Sequence, residues 1–276
     1  MFIRALTAIF SSTAIYILAL SGVVRASDKT PPASILWVGN SFFYYNNSMH
    51  NFLIALVRAD GRNDARGTSV TISGSGIEWH DMKSLLRPNG IGRYSFVGDN
   101  EIVFNKPGRQ FDGVILMDCS QCPVHPKLQD TFYKYAKKHS QTIRTHGAEP
   151  IFFMSWAYKD KPEMTAQLAE AYGKAGMQNK ARVIPAGLAF ANAVKARPEI
   201  ELYQRDKRHP TLAGTYLAAA TTYATLYGKS PVGNSFISGL DAPTAAFLQQ
   251  IAADTAVSYG ATNEVTSGNY ELCTLC

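Results

Sequence analysis

A serine at the end of an apolar strand is the first residue in this chain whose type and place could do chemistry. Residues 34–39 form a short run of strand-forming apolar residues that stops at Gly39, and Ser41 follows just before a segment with helical spacing. In open α/β sheets ligands bind outside the carboxyl ends of the strands, which makes Ser41 a candidate nucleophile. Serine is also a favoured helix N-cap, and this motif alone favours that interpretation.

A second chemical motif, Asp206-x-x-His209-Pro210, lies far along the chain, just before a predicted apolar helix. A serine hydroxyl becomes an effective nucleophile when a base removes its proton and a carboxylate orients that base. His209 and Asp206 could supply both groups from one turn, or they could cap the turn and the following helix. Found together at opposite ends of one domain, the motifs favour a triad of Ser41, His209 and Asp206.

The two motifs resemble the outer blocks of the SGNH (GDSL-like) hydrolase superfamily. The resemblance is closer to a branch whose first block reads Gly-Asn-Ser-Phe and whose last block reads Asp-x-x-His-Pro followed by Gly-x-Tyr-Leu-Ala. The matching stretches are Gly39 to Phe42, Asp206 to Pro210 and Gly214 to Ala218, and the resemblance covers about residues 33 to 227. It implies a single three-layer α/β/α domain with a mostly parallel, flavodoxin-like sheet and a serine hydrolase activity.

The resemblance also implies an oxyanion hole built from three blocks. In the first two blocks, the backbone N–H of Ser41 is joined by that of a glycine after the second strand, predicted over Thr68 to Ser73. That strand ends in Gly74-Ser75-Gly76, and the family spacing to His80 favours Gly74 over Gly76. The alternative interpretation of these residues is an ordinary glycine turn.

The third block departs from the superfamily pattern, in which an Asn side chain donates a further oxyanion hydrogen bond. Here the predicted strand Asp112 to Met117 is followed by Asp118-Cys119-Ser120-Gln121. Alignment places Cys119, whose thiol is a weak donor, at the Asn position. Ser120 or Gln121 could substitute, and Gln121 carries the matching amide. Loss of one such donor typically costs about a hundredfold to a thousandfold in turnover.

The remaining pattern alternates strands and helices, which predicts a parallel sheet with helices on both faces. Further strands are predicted over 149–156 and 182–184, and helices over 127–146, 161–177, 187–196, 212–227 and 242–259. Residues 87–112 are rich in Gly, Pro, Asn and Asp, and we expect a small hairpin around Glu101 to Phe104 beside or over the site. Trp156 ends a strand on the catalytic edge, where it could line an acyl or sugar pocket or belong to the core.

The first 26 residues have the features of a secretory signal peptide. Arg4 precedes an apolar stretch that closes on Val24-Arg25-Ala26, a small-residue cleavage pattern, and we expect cleavage after Ala26. The competing interpretation is an uncleaved anchor helix, since residues 5–24 are nearly long enough to span a bilayer. The mature protein is then secreted or periplasmic, with a linker over 27–33, the hydrolase-like domain over 34–260 and a C-terminal tail over 261–276.

The balance of charge does not indicate a nucleic-acid partner. Cleavage after Ala26 leaves 25 of the 27 basic residues against 21 acidic ones, a net charge of about +4. Clusters such as Lys134, Lys137 and Lys138 are typical of a solvated helix face. We expect no nucleic-acid partner and, after cleavage, no membrane partner, although the mild charge leaves open a weak attraction to acidic polysaccharide or to a membrane surface. The sequence also leaves the oligomeric state open.

Four cysteines form two Cys-x-x-Cys pairs, Cys119 with Cys122 and Cys273 with Cys276. Such pairs can bind zinc or act as a redox centre, but export to an oxidising compartment favours disulfides. Two local bridges would each close a short loop, whereas a bridge from the tail to Cys119 or Cys122 closes roughly 150 residues and contributes on the order of 4 kcal/mol in the chain-entropy model. We therefore favour the second arrangement, with the tail stapled beside the active site.

These features predict an exported serine esterase that removes a small acyl group, such as acetyl, from a carbohydrate or another small-molecule ester. No Gly-x-Ser-x-Gly elbow surrounds Ser41, which disfavours the α/β-hydrolase fold. An O-acyltransferase would need the same residues, so the sequence does not separate the two activities. The altered third block leaves a further alternative, a catalytically degenerate binding protein on this scaffold. Asp and His counts alone imply no metal, and no cofactor is expected.

Overall fold

Seven strands form two sheets in the part of the chain that the structure describes. The structure is a computed structural model that describes residues 30–106 and 108–273, with side chains as far as Thr262. Five strands form one sheet in the order β2-β1-β5-β6-β7 with every neighbouring pair parallel, and β3 and β4 form a separate antiparallel hairpin. In chain order the strands are β1 (Ser34–Gly39), β2 (Arg66–Thr71), β3 (Tyr94–Gly98), β4 (Glu101–Phe104), β5 (Gly113–Leu116), β6 (Glu149–Phe153) and β7 (Arg182–Ile184).

Helices flank the five-stranded sheet. In chain order they are α1 (Ser41–Tyr44), α2 (Met49–Ala59), α3 (Met82–Leu86), α4 (Gln129–Thr145), α5 (Met164–Asn179), α6 (Ala186–Ala196), α7 (Leu212–Tyr227) and α8 (Ala242–Cys273). Helix α7 packs against both α2 and α8, whereas α4 packs against α5 and β6. The predicted α/β/α architecture with a parallel sheet is confirmed. Among the described residues, no helix is both long and apolar enough to cross a bilayer.

Strand β1, an inner strand of the sheet, ends just before the serine and fixes its position. Its residues Ile35 to Val38 are each at most 1% exposed, as a strand covered on both faces requires. The ring of Trp37 meets that of Phe43 edge-on at 5.0 Å, and Phe43 in turn meets Phe153 of β6 at 5.0 Å. This aromatic cluster holds α1 against the sheet directly after Ser41.

Most predicted elements are confirmed, with boundaries that differ by a few residues. The strand 182–184 and the helix 212–227 have the predicted bounds, and β2 lies two residues earlier than predicted. The strand predicted over 149–156 ends at Phe153, because β7 ends at Ile184 and offers no further partner. The short helices α1 and α3 are not among the predicted elements.

The predicted hairpin exists, but its foot lies at the opposite edge of the sheet from Ser41. Strands β3 and β4 join through the turn after Gly98, and the chain then returns to begin β5 at Gly113. Among the described residues, no hydrogen bond or ring contact links the hairpin to the three triad residues. The expectation that it lies beside or over the site is therefore wrong, because the strand that follows it must start at the amino edge of the sheet.

Helix α8 does not end where the sequence predicts. We expected an end at Tyr259 and a separate tail over 261–276, but the helix continues to Cys273. No proline follows Pro243, so helical hydrogen bonding can continue through residues with little apolar pattern. The predicted leader over 1–26, with its cleavage site, lies outside the described residues, and export stays a prediction.

Cys119 and Cys122 form a disulfide with each other across one turn. Their Cα atoms lie 5.2 Å apart because the chain enters a 3-10 turn, Cys122–Val124, at this point. The predicted bridge from the tail to one of these cysteines is therefore wrong. The entropy gained by closing a long loop does not decide the pairing when two thiols are already neighbours in a folded turn. The side chains of Cys273 and Cys276 lie outside the described residues.

Candidate active site

The helix cap at the end of β1 leaves the Ser41 hydroxyl free for chemistry. Asn40 caps α1, since its backbone is extended and its Oδ1 accepts a hydrogen bond from the Phe42 N–H at 3.2 Å. The interpretation of Ser41 as the cap is thereby corrected. Ser41 is the first residue of α1, so its own N–H has no acceptor within the helix. Both the hydroxyl and the N–H of Ser41 are therefore available to a substrate at the carboxyl edge of the sheet.

The structure brings the three residues of the predicted triad together. Nε2 of His209 lies 2.8 Å from Oγ of Ser41, which is 168 positions earlier in the chain. Nδ1 of His209 is hydrogen-bonded to Oδ2 of Asp206. When Asp206 is ionised, Nδ1 carries the ring proton and Nε2 is left as the acceptor for the serine proton. This is the geometry that a nucleophile, a base and an orienting carboxylate require.

Asp206 is held ionised by its own turn. Its Oδ1 accepts hydrogen bonds from the N–H groups of Arg208 and His209, each at 3.0 Å. Partial burial works to raise the pKa of Asp206, but the hydrogen bonds from the His209 ring and from these two N–H groups outweigh it. The pKa of Asp206 is therefore lowered from its ordinary value, and the carboxylate keeps its charge at neutral pH.

Trp156 positions the turn that carries Asp206 and His209. Its indole N–H donates to the Arg208 carbonyl at 2.9 Å, and its ring is fully buried and stacked on Phe42 at 4.8 Å. Phe42 follows the nucleophile directly, so one core side chain contacts the segments on both sides of the site. Trp156 therefore belongs to the core, and of the two interpretations left open by the sequence the pocket-lining one is wrong.

Two aromatic rings fix the plane of the His209 imidazole. Tyr45 stacks on it with ring centroids 4.3 Å apart and an angle of 10° between the planes. Phe42 meets it edge-on at 5.4 Å. Because both rings come from the segment after Ser41, the base is oriented by the same part of the chain that supplies the nucleophile.

Asn46 ties the loop after α1 to the segment that follows His209. Its Nδ2 donates to the Pro210 carbonyl at 3.0 Å and to the Thr215 hydroxyl at 2.8 Å. Residues 46 to 48 all have positive φ, a strained conformation for three successive residues that are not glycine. Sequence reasoning missed this contact, because an Asn-Asn-Ser run indicates a turn and nothing about its distant partner.

Removal of the Asn46 amide should impair the predicted ester hydrolysis. We expect Asn46→Ala to lower kcat about tenfold with little change in KM, because the segment that follows His209 loses two hydrogen bonds that fix its position. Asn47→Ala is the matched control, since the two positions have similar φ values, 54° and 66°, and only Asn46 bonds to Pro210 and Thr215. Steady-state kinetics on p-nitrophenyl acetate measure both variants, and an equal loss in the two would contradict the positioning role.

The buried side chain of Asn40 joins three loops at the catalytic edge. Its Nδ2 donates to the carbonyl of Ser75, after β2, and to the carbonyl of Asp118, after β5, at 3.1 Å each. Asn40 is only 4% exposed, so these bonds satisfy an amide that water cannot reach. The ends of β1, β2 and β5 are thereby held at a fixed spacing.

Gly74, the predicted second oxyanion donor, has a backbone conformation that favours glycine and lies beside open space. Its φ of 69° lies in the left-handed region, where glycine is favoured. A Cβ at this position would meet no atom within 4 Å, so the residue borders open space. In the described part of the chain its N–H has no hydrogen-bond acceptor. These properties agree with a hole formed by the N–H groups of Ser41 and Gly74, which stays a prediction.

The disulfide rules out Cys119 as a thiol donor at the third block. Its sulfur carries no hydrogen, and its N–H donates to Oδ1 of Asp118 at 2.7 Å. The Ser120 hydroxyl is hydrogen-bonded to that of Tyr158 at 2.6 Å. Gln121 is exposed, and its amide has no hydrogen bond within the described residues. Of the three candidates only Gln121 has an uncommitted side chain, and its donor role stays a prediction.

A buried polar cluster supports the Gly74 loop. The Ser75 hydroxyl donates to the Gly39 carbonyl at 3.1 Å, and Nε2 of His80 lies 3.1 Å from that hydroxyl. Burial, followed by the charge of His139, lowers the pKa of His80 to about 4. Burial also raises the pKa of Asp118, on the neighbouring loop, to about 7. His80 is therefore neutral at pH 7 and braces the loop as a hydrogen-bonding group without charge.

The lowered pKa of His80 should make stability depend on pH. The unfolded chain takes up the His80 proton near the ordinary histidine pKa of 6.5, whereas the folded state resists it down to about 4, so the free energy of unfolding decreases as pH falls through this window. Relative to His80→Gln, which keeps a donor at the Nε2 position, the wild type should lose on the order of 3 kcal/mol between these pH values. Denaturant titrations at a series of pH values measure the difference in the free energy of unfolding between the two proteins. Asp118 is present in both, so its titration cancels in that difference. A difference that does not change with pH would contradict the buried neutral state.

The exposure of the triad increases from the nucleophile to the carboxylate, and Ser41 is only 9% exposed. The Asp206 and His209 side chains are 45% and 22% exposed. Two clefts of about 240 and 220 Å³ lie elsewhere, one beside Tyr133 and one beside His146, and neither contains a triad residue. Asp118, Cys119 and Cys122 are close enough to share a cation, but the disulfide removes both thiolates, so these residues do not fit a metal site.

Known structures share this fold although the sequence comparisons find no relative. No family model and no curated protein sequence matches the chain. A candidate SGNH hydrolase from Slackia heliotrinireducens is 21% identical over 67% of this chain and 94% of its own, with a TM-score of 0.50. The chain has the SGNH hydrolase fold. The resemblance expected from the two outer blocks is thus confirmed at the level of the fold.

Two other proteins show the same likeness to this SGNH hydrolase fold. A DUF4886 family protein from Bacteroides uniformis is 18% identical and has a TM-score of 0.56, covering 80% of this chain and 93% of its own. An acetylxylan esterase from Geobacillus stearothermophilus is 14% identical and has a TM-score of 0.51, covering 72% of this chain and 96% of its own. At these identities the likeness establishes the fold alone.

Proposed function

We propose that this protein is an exported serine esterase that removes small acyl groups, such as acetyl, from carbohydrate or other small-molecule esters. The observation that carries the proposal is the 2.8 Å contact between Ser41 and His209, with Asp206 on the other ring nitrogen. This arrangement activates a hydroxyl for attack, which a protein that only binds has no need to do. The likeness to an acetylxylan esterase supports an acetylated carbohydrate as the substrate class.

In the first half of the proposed reaction Ser41 attacks the carbonyl carbon of the ester. Its proton moves to Nε2 of His209, and the ionised Asp206 stabilises the imidazolium that forms. The carbonyl oxygen gains negative charge, which the N–H groups of Ser41 and Gly74 stabilise, with the Gln121 amide as a third donor. The bond to the alcohol then breaks, His209 gives its proton to that alcohol, and an acyl ester of Ser41 remains.

The second half of the reaction repeats these steps with water in place of the alcohol. His209 takes a proton from water, the hydroxide attacks the acyl ester, and the proton is returned to Ser41 as the acid leaves. A sugar hydroxyl that takes the place of water would give an O-acyltransferase with the same residues. A count of free acid released against acyl group transferred distinguishes the two activities.

The exposure of the site favours an ester that is displayed on a large molecule. The Asp206 and His209 side chains are 45% and 22% exposed, which leaves room beside the triad for the remainder of a bulky alcohol. Acetylated oligosaccharides meet this condition.

The triad should account for nearly all turnover. We expect Ser41→Ala to lower kcat for hydrolysis of p-nitrophenyl acetate by about a thousandfold or more, because triad members act as a unit. Ser84→Ala, on helix α3 and outside the site, is the control and should keep wild-type activity. Matching circular dichroism spectra exclude misfolding of the variant. Wild-type activity in Ser41→Ala would overturn the proposal, and absence of turnover in the wild type on all esters tested would favour the binding protein.

A further inference from the structure

The β3–β4 hairpin exposes an apolar face that no other part of the described chain covers. Tyr94 pairs with Phe104 and Phe96 pairs with Ile102, so the four side chains stand on the same face of the two-stranded sheet. Their exposed fractions are 50%, 64%, 75% and 47% in that order. The Tyr94 ring contacts those of Phe96 and Phe104, and among the described residues none of the three contacts a ring outside the hairpin. A contiguous patch of this kind is typical of an interaction site.

The foot of the hairpin lies where the N-terminal segment enters the fold. Asn105 donates to the Gly92 carbonyl at 2.6 Å and closes the foot, and Gln110 donates to the Lys106 carbonyl at 3.1 Å. The Gln110 carbonyl in turn accepts from the Ser34 hydroxyl at 2.8 Å, at the first residue of β1. The hairpin and the incoming chain therefore share the amino edge of the sheet.

This position brings the hairpin close to any bilayer that holds the apolar N-terminal segment. Nine residues, 25–33, connect this segment to β1 and span at most about 32 Å when fully extended. While residues 5–24 occupy a membrane, during export or as an anchor, the hairpin foot, which is bonded to Ser34 through Gln110, is held within about this distance of the surface. The catalytic edge, at the other end of the strands, then faces away from the membrane.

Basic residues flank the two strands of the hairpin along the chain, on the side of its foot. Arg87, Arg93, Lys106 and Arg109 are all exposed, and Arg93 lies over the Phe104 ring at 5.8 Å. Among them only Arg109 forms an ion pair in the described part of the chain, with Asp112. The acidic Asp99 and Glu101 are confined to the turn at the tip, so the hairpin would meet an anionic surface with its face and foot and not with its tip. Aromatic rings beside cations are typical of proteins that lie at the lipid headgroup level.

A second copy of the chain fits this face less well. Aromatic side chains have areas of about 150–250 Å² each, so the exposed fractions correspond to roughly 450 Å² of apolar face. A symmetric dimer would therefore bury about 900 Å² in total, which is below the usual range of stable interfaces. An anionic surface needs no matching patch on a partner, and it attracts the basic residues at the foot.

We propose that the β3–β4 hairpin is a membrane-docking element, whose apolar face and basic foot bind an anionic phospholipid surface. Tyr94, Phe96, Ile102 and Phe104 enter the headgroup region, and Arg93 and Lys106 contact the lipid phosphates. The domain is thereby held at the surface from which its leader emerges, with Ser41 directed to the opposite side.

Vesicle sedimentation of the mature chain, residues 27–276, tests the docking element. This chain keeps the whole hydrophobic core, which begins at Ile35. We expect binding to vesicles of three parts phosphatidylcholine to one part phosphatidylglycerol, weaker binding to pure phosphatidylcholine, and a decrease with added salt. Phe96→Ser/Phe104→Ser should reduce binding more than tenfold, and Arg93→Gln about fivefold. Met177→Ser/Val257→Ser is the matched control, since both side chains are about half exposed on helices elsewhere.

Ester hydrolysis and circular dichroism of each variant check that the fold is unchanged. The proposal would be overturned if the wild type bound anionic vesicles no more strongly than Phe96→Ser/Phe104→Ser, or if it did not bind them at all. A concentration-dependent dimer in analytical ultracentrifugation that Phe96→Ser/Phe104→Ser abolishes would also overturn it and assign the face to a second copy.

Discussion

The hydrogen bond between His209 and Ser41 joins two segments 168 positions apart, and much of the surrounding structure serves to hold them together. The serine side is rigid because β1 is buried on both faces and ends at a capped helix. The histidine side is a surface turn that is closed by its own hydrogen bonds, among them one from the Gln204 N–H to the His209 carbonyl at 2.7 Å. This turn is held against the rest of the domain by the Trp156 indole and the Asn46 amide, both of which donate to backbone carbonyls beside His209.

The site depends on side chains that hold the backbone as much as on the triad itself. Asn40 donates to two carbonyls and so spaces the loops after β2 and β5 around the nucleophile. Four residues in the two loops beside His209 have a positive φ: Asn46, Asn47, Ser48 and Lys207. Each such residue costs on the order of 1 kcal/mol, and the contacts around it must offset that strain. Rigid strands and strained loops together place a proton acceptor over the serine hydroxyl.

Much of the fold follows from local sequence patterns. A continuous apolar run identified β1, because a strand that is buried on both faces consists almost entirely of apolar residues. The alternation of strands and helices indicated the parallel sheet. The triad residues could be named because Ser41 and the Asp206 to His209 turn each occur with a recognisable neighbour sequence. The two motifs lie close together because both follow strands of the same sheet, as their places in the strand–helix alternation imply.

What the sequence could not provide are contacts between distant loops. Asn46 and Trp156 each hold the catalytic turn through a hydrogen bond to a backbone carbonyl. Every residue has such a carbonyl, so no side-chain pattern in the sequence identifies which residue accepts the bond. The cysteine pairing was wrong because a loop-entropy argument compares unfolded chains, whereas the folded turn after Asp118 had already placed Cys119 and Cys122 together. The hairpin was identified but misplaced, because its position depends on where β5 begins.

The most direct test of the account is to map the residue that becomes covalently modified by a fluorophosphonate. Incubation of the protein with the probe, digestion with trypsin and fragment mass spectrometry should place the adduct on Ser41, within the peptide Thr30 to Arg58 that also contains Ser34 and Ser48. Prior replacement of His209 by Ala should prevent labelling, because the hydroxyl then has no base. An adduct on another serine, or labelling that does not depend on His209, would contradict the triad.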